Sequence, residues 1–223
     1  DILRQAWARE APVHSDGPHH PLPLTGEGTT GLGKNLKPIT HPLRADIPVM
    51  LGAEGPKNVA LSAEIADGWL PIFYSPRIAG MYNEWLDEGF ARPGARHTRE
   101  TFEICATAQV VVTDDRPAVM ELMKPHLALY MGGMGAEDTN FHADVYRRMG
   151  YAEVVDDVTR LFRSDRKDEA AKVIPDELVD DSAIVGDLAY VQEQIKAWEA
   201  SGVTMMVVGA RSPEQIRDLA ALV

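Results

Sequence analysis

The stretch Ile47–Phe73, IPVMLGAEGPKNVALSAEIADGWLPIF, decides how the chain is read. Ile47–Leu51 is a short apolar run with β-branched residues, and Gly52-Ala53-Glu54-Gly55 breaks it. Pro56 suits the first position of a helix, where its ring presets φ and its missing N–H would have had no partner. Val59, Ala60, Ala63 and Ala66 then recur at helical spacing and form a narrow stripe of small side chains. Such a stripe lets a helix lie close on a sheet. Asp67-Gly68 ends the helix, and Trp69–Phe73 is the next apolar strand. Two apolar strands joined by one helix predict a parallel βαβ unit. The turn between strand and helix leaves the N–H groups of Gly55, Lys57 and Asn58 at the positive end of the helix dipole. That arrangement suits an anion, most often a phosphate. The plain alternative is a βα loop that binds nothing.

Outward from this unit the same alternation continues. Residues 1–10 read as the end of a helix, since Ile2, Leu3, Ala6 and Trp7 follow helical spacing from the start. The expectation is that a longer protein precedes Asp1. Residues 11–46 form a long loop rich in Pro, Gly and His, and loops of that length are usually functional or disordered. Arg77–Phe90 is a helix with Ile78, Met81, Tyr82, Trp85 and Leu86 on one face. Phe102–Val112 is a strand, and Asp114 or Asp115 caps the helix from about Arg116 to Tyr130. Met131–Gly135 breaks that helix. Short helices without a strand fill 137–180, and Ala183–Val185 is a brief apolar piece. Asp187 caps a helix through Ala200, Val203–Val208 is a strand, and Ser212-Pro213 opens a last helix.

Alternation of this kind implies an α/β fold with a parallel sheet. The strands are apolar almost throughout, as expected when both faces are covered. Four parallel strands alone leave two unpaired edges. Eight strands and eight helices close a barrel and need about 250 residues. The reading is therefore a single domain over 1–223 that supplies strands 5–8 of a (β/α)8 TIM barrel. Its embellishments are the 11–46 loop and a helical insertion at 131–182 before the last strand.

The totals restrict function. The 223 residues carry a formal net charge of −12, which disfavours a nucleic-acid or anionic-membrane partner. Apolar residues make up 45% and charged residues 25%, enough for a core with a solvated surface. Cys105 is the only cysteine, so no internal disulfide and no thiolate metal cluster is expected, and a reducing cytoplasm fits.

Other motifs have two readings. Gly28-Thr29-Thr30-Gly31-Leu32-Gly33-Lys34 matches a phosphate-binding GxxxxGK pattern, but Asn35 stands where Ser or Thr should hold Mg²⁺, and no strand precedes it. A plain loop fits better. His14, His19, His20 and Asp16 cluster without metal-ligand spacing, so no metal is expected. Met131–Gly135 reads as a helix stop rather than a phosphate cradle. Cys105 reads as inert core within a strand.

The turn Gly52-Ala53-Glu54-Gly55-Pro56-Lys57, with Ala63-Glu64-Ile65-Ala66-Asp67-Gly68 after it, resembles the luciferase-like monooxygenase superfamily of flavin and deazaflavin enzymes. The C-terminal SAIVGDLAYVQEQIKAWEASGVTMMVV is similar to that family's ending, and Asp16–Pro23 to its segment before the fifth strand. The wording is closest to the actinobacterial branch that uses coenzyme F420, an 8-hydroxy-5-deazaflavin. The resemblance implies a TIM barrel with the cofactor at the C-terminal ends of the strands. It places Ala53, Glu54, Gly55, Pro56 and Lys57 at the cofactor, and Phe73, Tyr74 and Ser75 at the substrate mouth, where Tyr74 either touches substrate or packs. It implies hydride transfer between coenzyme F420 and a small organic molecule, in a cytoplasmic homodimer. The alternatives are an FMN-dependent monooxygenase and a catalytically silent flavin-binding paralogue. The family's reacting-centre groups come from strands one to four, so no catalytic acid or base is named. Lys34, Lys37 and Arg44, with His41, form a basic stretch expected to guide the acidic tail of coenzyme F420 or to screen the site; the plain alternative is a solvated loop whose charges do nothing specific.

Overall fold

The computed structural model describes residues 1–136, 139–210 and 212–222. The chain divides into two units, 1–49 and 50–223. In the first, α1 (Ile2–Ala8) ends where Arg9 adopts a left-handed conformation with φ 56°. The long segment after it is held by sparse polar contacts rather than by regular structure. Val13 and Leu36 pair in an antiparallel bridge, as do Ser15 and Leu22. The Gln5 side chain imitates a strand partner: its Nε2 donates to the His14 carbonyl and its Oε1 accepts from the His14 amide, both at 2.9 Å. Val13 is fully buried. His14 Nε2 lies 3.6 Å from the exposed Asp16 carboxylate.

The second unit is built on a parallel sheet of five strands among the described residues. Its elements are β1 (Met50–Leu51), α2 (Pro56–Ile65), β2 (Gly68–Trp69), α3 (Ala79–Phe90), β3 (Glu103–Val112) and α4 (Arg116–Ala128). Four helices follow: α5 (Phe141–Arg148), α6 (Ala152–Arg163), α7 (Lys167–Lys172) and α8 (Asp176–Asp180). Then come β4 (Ala183–Gly186), α9 (Leu188–Ala200), β5 (Met205–Val208) and α10 (Pro213–Ala220). The long strand β3 is the spine. Its start pairs with β2, its middle with β5 (Cys105↔Met205) and its end with β4 (Gln109↔Ala183). The brief apolar piece Ala183–Val185 is therefore a fully buried strand.

The strand after α2 is shorter than its apolar run predicts. Leu70 N still donates to Leu51 O at 2.9 Å, but Pro71 has no N–H to offer the ladder. The chain leaves the sheet there and turns at Phe73, whose φ is +55°. Gly68 is required by close approach, since a Cβ on it would lie 2.2 Å from Met50 Sδ and 2.6 Å from the Glu103 carbonyl oxygen.

The small-residue stripe of α2 serves a helix as well as the sheet. Val59, Ala60 and Ala63 are fully buried. A Cβ on Gly89 of α3 would come within 2.0 Å of the Ala60 carbonyl oxygen. Backbone-to-backbone contact of this kind tolerates only Gly and Ala. Glu64 and Asp67 anchor the same corner: Glu64 accepts from Arg92 at 2.8 Å, and Asp67 accepts from Arg96 Nε at 2.6 Å and meets His97 Nε2 at 2.9 Å. The Ala63–Gly68 motif thus fastens α2 to the turn that ends α3.

Two apolar clusters result. One gathers Val59, Trp69, Tyr82, Leu86, Ile104 and Trp198 around the sheet. The other gathers Met120, Leu127, Tyr146, Val155, Val158 and Leu178 and gives helices α4–α8 a core of their own. At about 1.5–3 kcal/mol per large buried apolar side chain, such a core can hold five short helices together. Gly132 and Gly133, in the π-helical turn Leu129–Gly133, let Phe162 of α6 pack close; a Cβ on Gly132 would lie 2.5 Å from Phe162 Cβ. That turn is a packing site, as well as the helix stop expected. No helix among the described residues is long and apolar enough to cross a membrane.

Candidate functional site

A cleft of about 380 Å³ opens at the end of β1. One wall is the turn from Gly52 to Gly55 with Asn58. A second is Leu70 and Ile72, and Phe141, Asp144 and Arg148 of α5 close the third side. The turn is rigidly placed. Trp69 Nε1 donates to the Ala53 carbonyl at 2.8 Å, so the buried indole fixes the turn to the sheet. Gly55 is the N-cap of α2 and Pro56 its first residue, as their types predict. The Asn58 and Val59 amides both bond the Gly55 carbonyl, at 3.1 and 3.0 Å. The Gly55 and Lys57 amides have no partner among the described residues. They remain at the positive end of a ten-residue helix. The Asn58 amide, expected to be free, is not.

Gly55 has φ −98°, a value any residue adopts. A Cβ there would meet nothing within 4 Å. The glycine is thus not demanded by backbone strain. The space at Gly55 is open beside the two free amides.

The α5 side brings the charges. Arg148 Nη1 donates to the Glu54 carbonyl at 3.4 Å, and its guanidinium lies 6.0 Å from the Trp85 ring centre. The Glu54 carboxylate approaches His142 Nδ1 at 2.8 Å. Burial pushes the Glu54 carboxyl up from its ordinary range, His142 and Arg148 oppose this, and Asp144 adds to the rise. Asn140 sets where α5 begins: its Oδ1 accepts from the His142 and Ala143 amides, while its Nδ2 donates to the Tyr130 and Met131 carbonyls.

The eight residues proposed from sequence do not all converge. Ala53, Glu54 and Gly55 line the cleft, while Pro56 and Lys57 start the helix beside it with Lys57 exposed. Phe73 is buried behind the cleft, its ring 5.0 Å from Tyr130, 4.9 Å from Tyr146 and 6.3 Å from His142. Its positive φ is a costly conformation for an aromatic residue, held in place by that packing. Tyr74 points elsewhere: it is 1% exposed, and its hydroxyl bonds the Ser201 carbonyl at 3.1 Å and Ser201 Oγ at 3.0 Å. Burial pushes its phenol up. Of the two readings left open for Tyr74, the contacts are those of packing. Ser75 caps the 3₁₀ turn Pro76–Ile78 and donates to Asp181 Oδ1 at 2.7 Å. Sequence reasoning missed Phe141, Asp144 and Arg148. Their spacing along one helical face and the Asn140 cap were legible, but nothing local showed which surface that face would meet.

Comparison with known proteins fits this geometry. The sequence profile of the luciferase-like monooxygenase family matches residues 1–205. A Mycobacterium tuberculosis protein, named provisionally as a coenzyme F420-dependent oxidoreductase, is 79% identical over all 223 residues, which span 64% of that protein. A 5,10-methylenetetrahydromethanopterin reductase of Archaeoglobus fulgidus is 29% identical over 169 residues, 74% of this chain and 48% of the relative. The coenzyme F420-dependent tetrahydromethanopterin reductase of Methanopyrus kandleri superposes with a TM-score of 0.71 at 20% identity, over 97% of this chain and 57% of that one. An F420-dependent secondary alcohol dehydrogenase follows with a TM-score of 0.60 at 14% identity, over 96% of this chain and 54% of that one. These two structures share the fold, and this chain spans little more than half of either.

Proposed function

The chain belongs to the luciferase-like monooxygenase family, and from that premise we propose that it is part of a coenzyme F420-dependent oxidoreductase. The protein transfers hydride between the deazaflavin and a small organic molecule. The observation that carries this reading is the Gly52–Asn58 turn: two free amides, a helix N-terminus and an open space before Gly55, in a relative of F420-dependent enzymes. The turn holds the cofactor's phosphate through the Gly55 and Lys57 amides, with Arg148 and Lys57 supplying positive charge nearby. The deazaflavin supplies hydride chemistry when bound, and the chain supplies position and exclusion of water. Phe73 lies behind the cleft and packs against His142, which meets Glu54 of the turn. Tyr74 and Ser75, carried over as substrate residues, act on this reading by holding the segment that bears Phe73.

The sheet is also the later half of a (β/α)8 barrel. Met205 and Val207 of β5 are 49% and 43% exposed on a strand of four apolar residues. Beside them runs an apolar trough of about 1110 Å³ lined by Ile195, Val203, Met206, Ile216 and Leu219. Parallel sheets are ordinarily covered on both faces. Further β/α units cover this trough in the whole protein, consistent with the greater length of the relatives. Residues 1–223 expressed alone are then expected to lack a cooperative, monomeric melting transition; observing one refutes the half-barrel.

Cofactor identity is tested on the full-length protein. It is incubated separately with coenzyme F420 and with FMN, desalted, and the retained molecule is identified by mass. Retention of coenzyme F420 is expected. Retention of FMN alone moves the assignment to a flavin monooxygenase.

A further inference from the structure

The cleft has a charge conflict. Its turn offers free amides to an anion, yet Glu54 stands on that turn and Asp144 faces it from α5. The Glu54 carboxylate is turned into the protein, its side chain 17% exposed, with Oε1 2.8 Å from Nδ1 of the 22% exposed His142. The two atoms are close but not aligned as a hydrogen bond. Glu54 Oε2 and His142 Nδ1 both lack a hydrogen-bond partner, as does the hydroxyl of Tyr146, one helical turn from His142 and fully buried. Buried polar atoms are paired in the great majority of cases. The close Glu54–His142 contact, with the second Glu54 oxygen and the Tyr146 hydroxyl unpaired, marks a place where a proton or a ligand is still to be received.

The surroundings limit what that place can do. From α5 the pair is faced by Asp144, Tyr146 and Arg148, and from α3 by Tyr82. Tyr130 stands 4.9 Å from the His142 ring, His126 packs 4.8 Å from Tyr130, and Lys57 is exposed at the start of α2. Phe73 and Tyr130 pack edge-on against the imidazole, with ring centres 6.3 and 4.9 Å away, and Tyr146 packs behind Phe73. Arg148 is tied to the turn's backbone rather than to the Glu54 carboxylate.

We propose that Glu54 and His142 together hold one exchangeable proton that sets the charge of this cleft, so that a phosphate- or sulfate-like anion binds there along with that proton. The inference rests on the reading of the turn as a phosphate seat and adds a regulator to it. With the proton the pair sums to zero charge; without it the pair carries one negative charge beside the bound anion. An anion therefore raises the pair's hold on the proton, and by linkage the proton strengthens anion binding. Burial, which already pushes the Glu54 carboxyl up, acts in the same direction. Glu54 and His142 are positioning residues here: they act through the electrostatics of the turn.

The test is calorimetric binding to the full-length protein between pH 5 and 9. The probes are sulfate, whose charge is constant over that range, and coenzyme F420. Each titration is run in two buffers of different ionisation heat, which counts protons taken up. Wild type is expected to take up as much as one proton per anion, with affinity falling by up to about tenfold per pH unit above the pair's midpoint, the limit for one linked proton. Glu54→Gln is expected to abolish uptake and to bind sulfate more tightly than wild type at high pH. His142→Gln is expected to bind weakly and without pH dependence. Thermal melts report whether each variant folds, and either variant suffices if the other does not. Anion binding without proton uptake in wild type overturns the pair's role and leaves the phosphate seat standing. Undiminished uptake in Glu54→Gln overturns it as well. No binding of either probe at any pH removes both readings.

Discussion

Replacing Asp181 with alanine tests what holds the Phe73 segment in place. Asp181 follows α8 and is 6% exposed. Its carboxylate accepts from Ser75 Oγ at 2.7 Å, Arg77 Nε at 3.0 Å and the Tyr151 hydroxyl at 2.8 Å, and also meets Arg77 Nη2. Alanine leaves the fully buried Ser75 hydroxyl without an acceptor, at a cost of about 1–3 kcal/mol. The Arg77 side chain is half exposed, so solvent screens its pair and it adds only about 0.5 kcal/mol. With the partly buried Tyr151 hydroxyl the total is about 2–4 kcal/mol. Asp181→Asn keeps the shape and one acceptor and should cost about half as much. The pH dependence has a definite sign. Burial pushes the Asp181 carboxyl up, but hydrogen bonds from Arg77, Ser75 and Tyr151 outweigh it and hold the group below its ordinary value. Its contribution is thus fully present above the ordinary aspartate range, near pH 4, and is lost as pH falls below that toward the folded value. The assay is urea unfolding of full-length wild type, Asp181→Ala and Asp181→Asn from pH 7 down to pH 3. Equal midpoints at pH 7, or a wild-type advantage over Asp181→Asn that grows on acidification, would refute the reasoning.

Other substitutions probe the turn and its supports. Gly55→Val, adding side chain only to open space, should leave Tm within a few degrees and abolish cofactor retention after desalting; retention as in wild type would place the phosphate elsewhere. Lys57→Ala should weaken cofactor binding less than Gly55→Val, because the amides and helix dipole remain. Gly89→Val forces a Cβ onto the Ala60 carbonyl oxygen and should destabilise by about 1–3 kcal/mol or more, read by urea unfolding, while Gly80→Ala on the same helix has free space and should not. Cys105 is buried and its thiol pushed up by burial, so alkylation in native protein should be far slower than in urea. Lys34→Glu with Lys37→Glu should weaken binding of coenzyme F420 in a salt-dependent way and spare a tail-less analogue; equal effects on both would remove the tail-guiding role.

Much of the chain was legible because the signals are local. Pro56 at the first helical position, Asp115 capping α4 through the Ala118 amide, Asp187 capping α9 through Tyr190 and Ser212 capping α10 through Gln215 are bonds within one turn, and sequence determines them. The alternation of apolar runs and helical periods likewise fixed the α/β class and the parallel sheet, since each period reports which faces are buried. The turn at Gly52–Lys57 was found for the same reason. Tertiary structure decided the rest. Asp114 and Asp115 looked equal until the helix was placed. Ala183–Gly186 is too short to announce itself, and it is a strand because the tail of β3 stands open to it. Tyr74 sits at a strand end like a mouth residue, but its hydroxyl meets Ser201, 127 positions away. The meeting of α5 with the turn, through Arg148 and the Glu54 carbonyl 94 positions earlier, is of the same kind. Such contacts carry no local signature: they arise where two independently folded surfaces are pressed together by the burial of apolar side chains on other faces of the same elements. The charge of the cleft is set by that packing and by no single stretch of the chain.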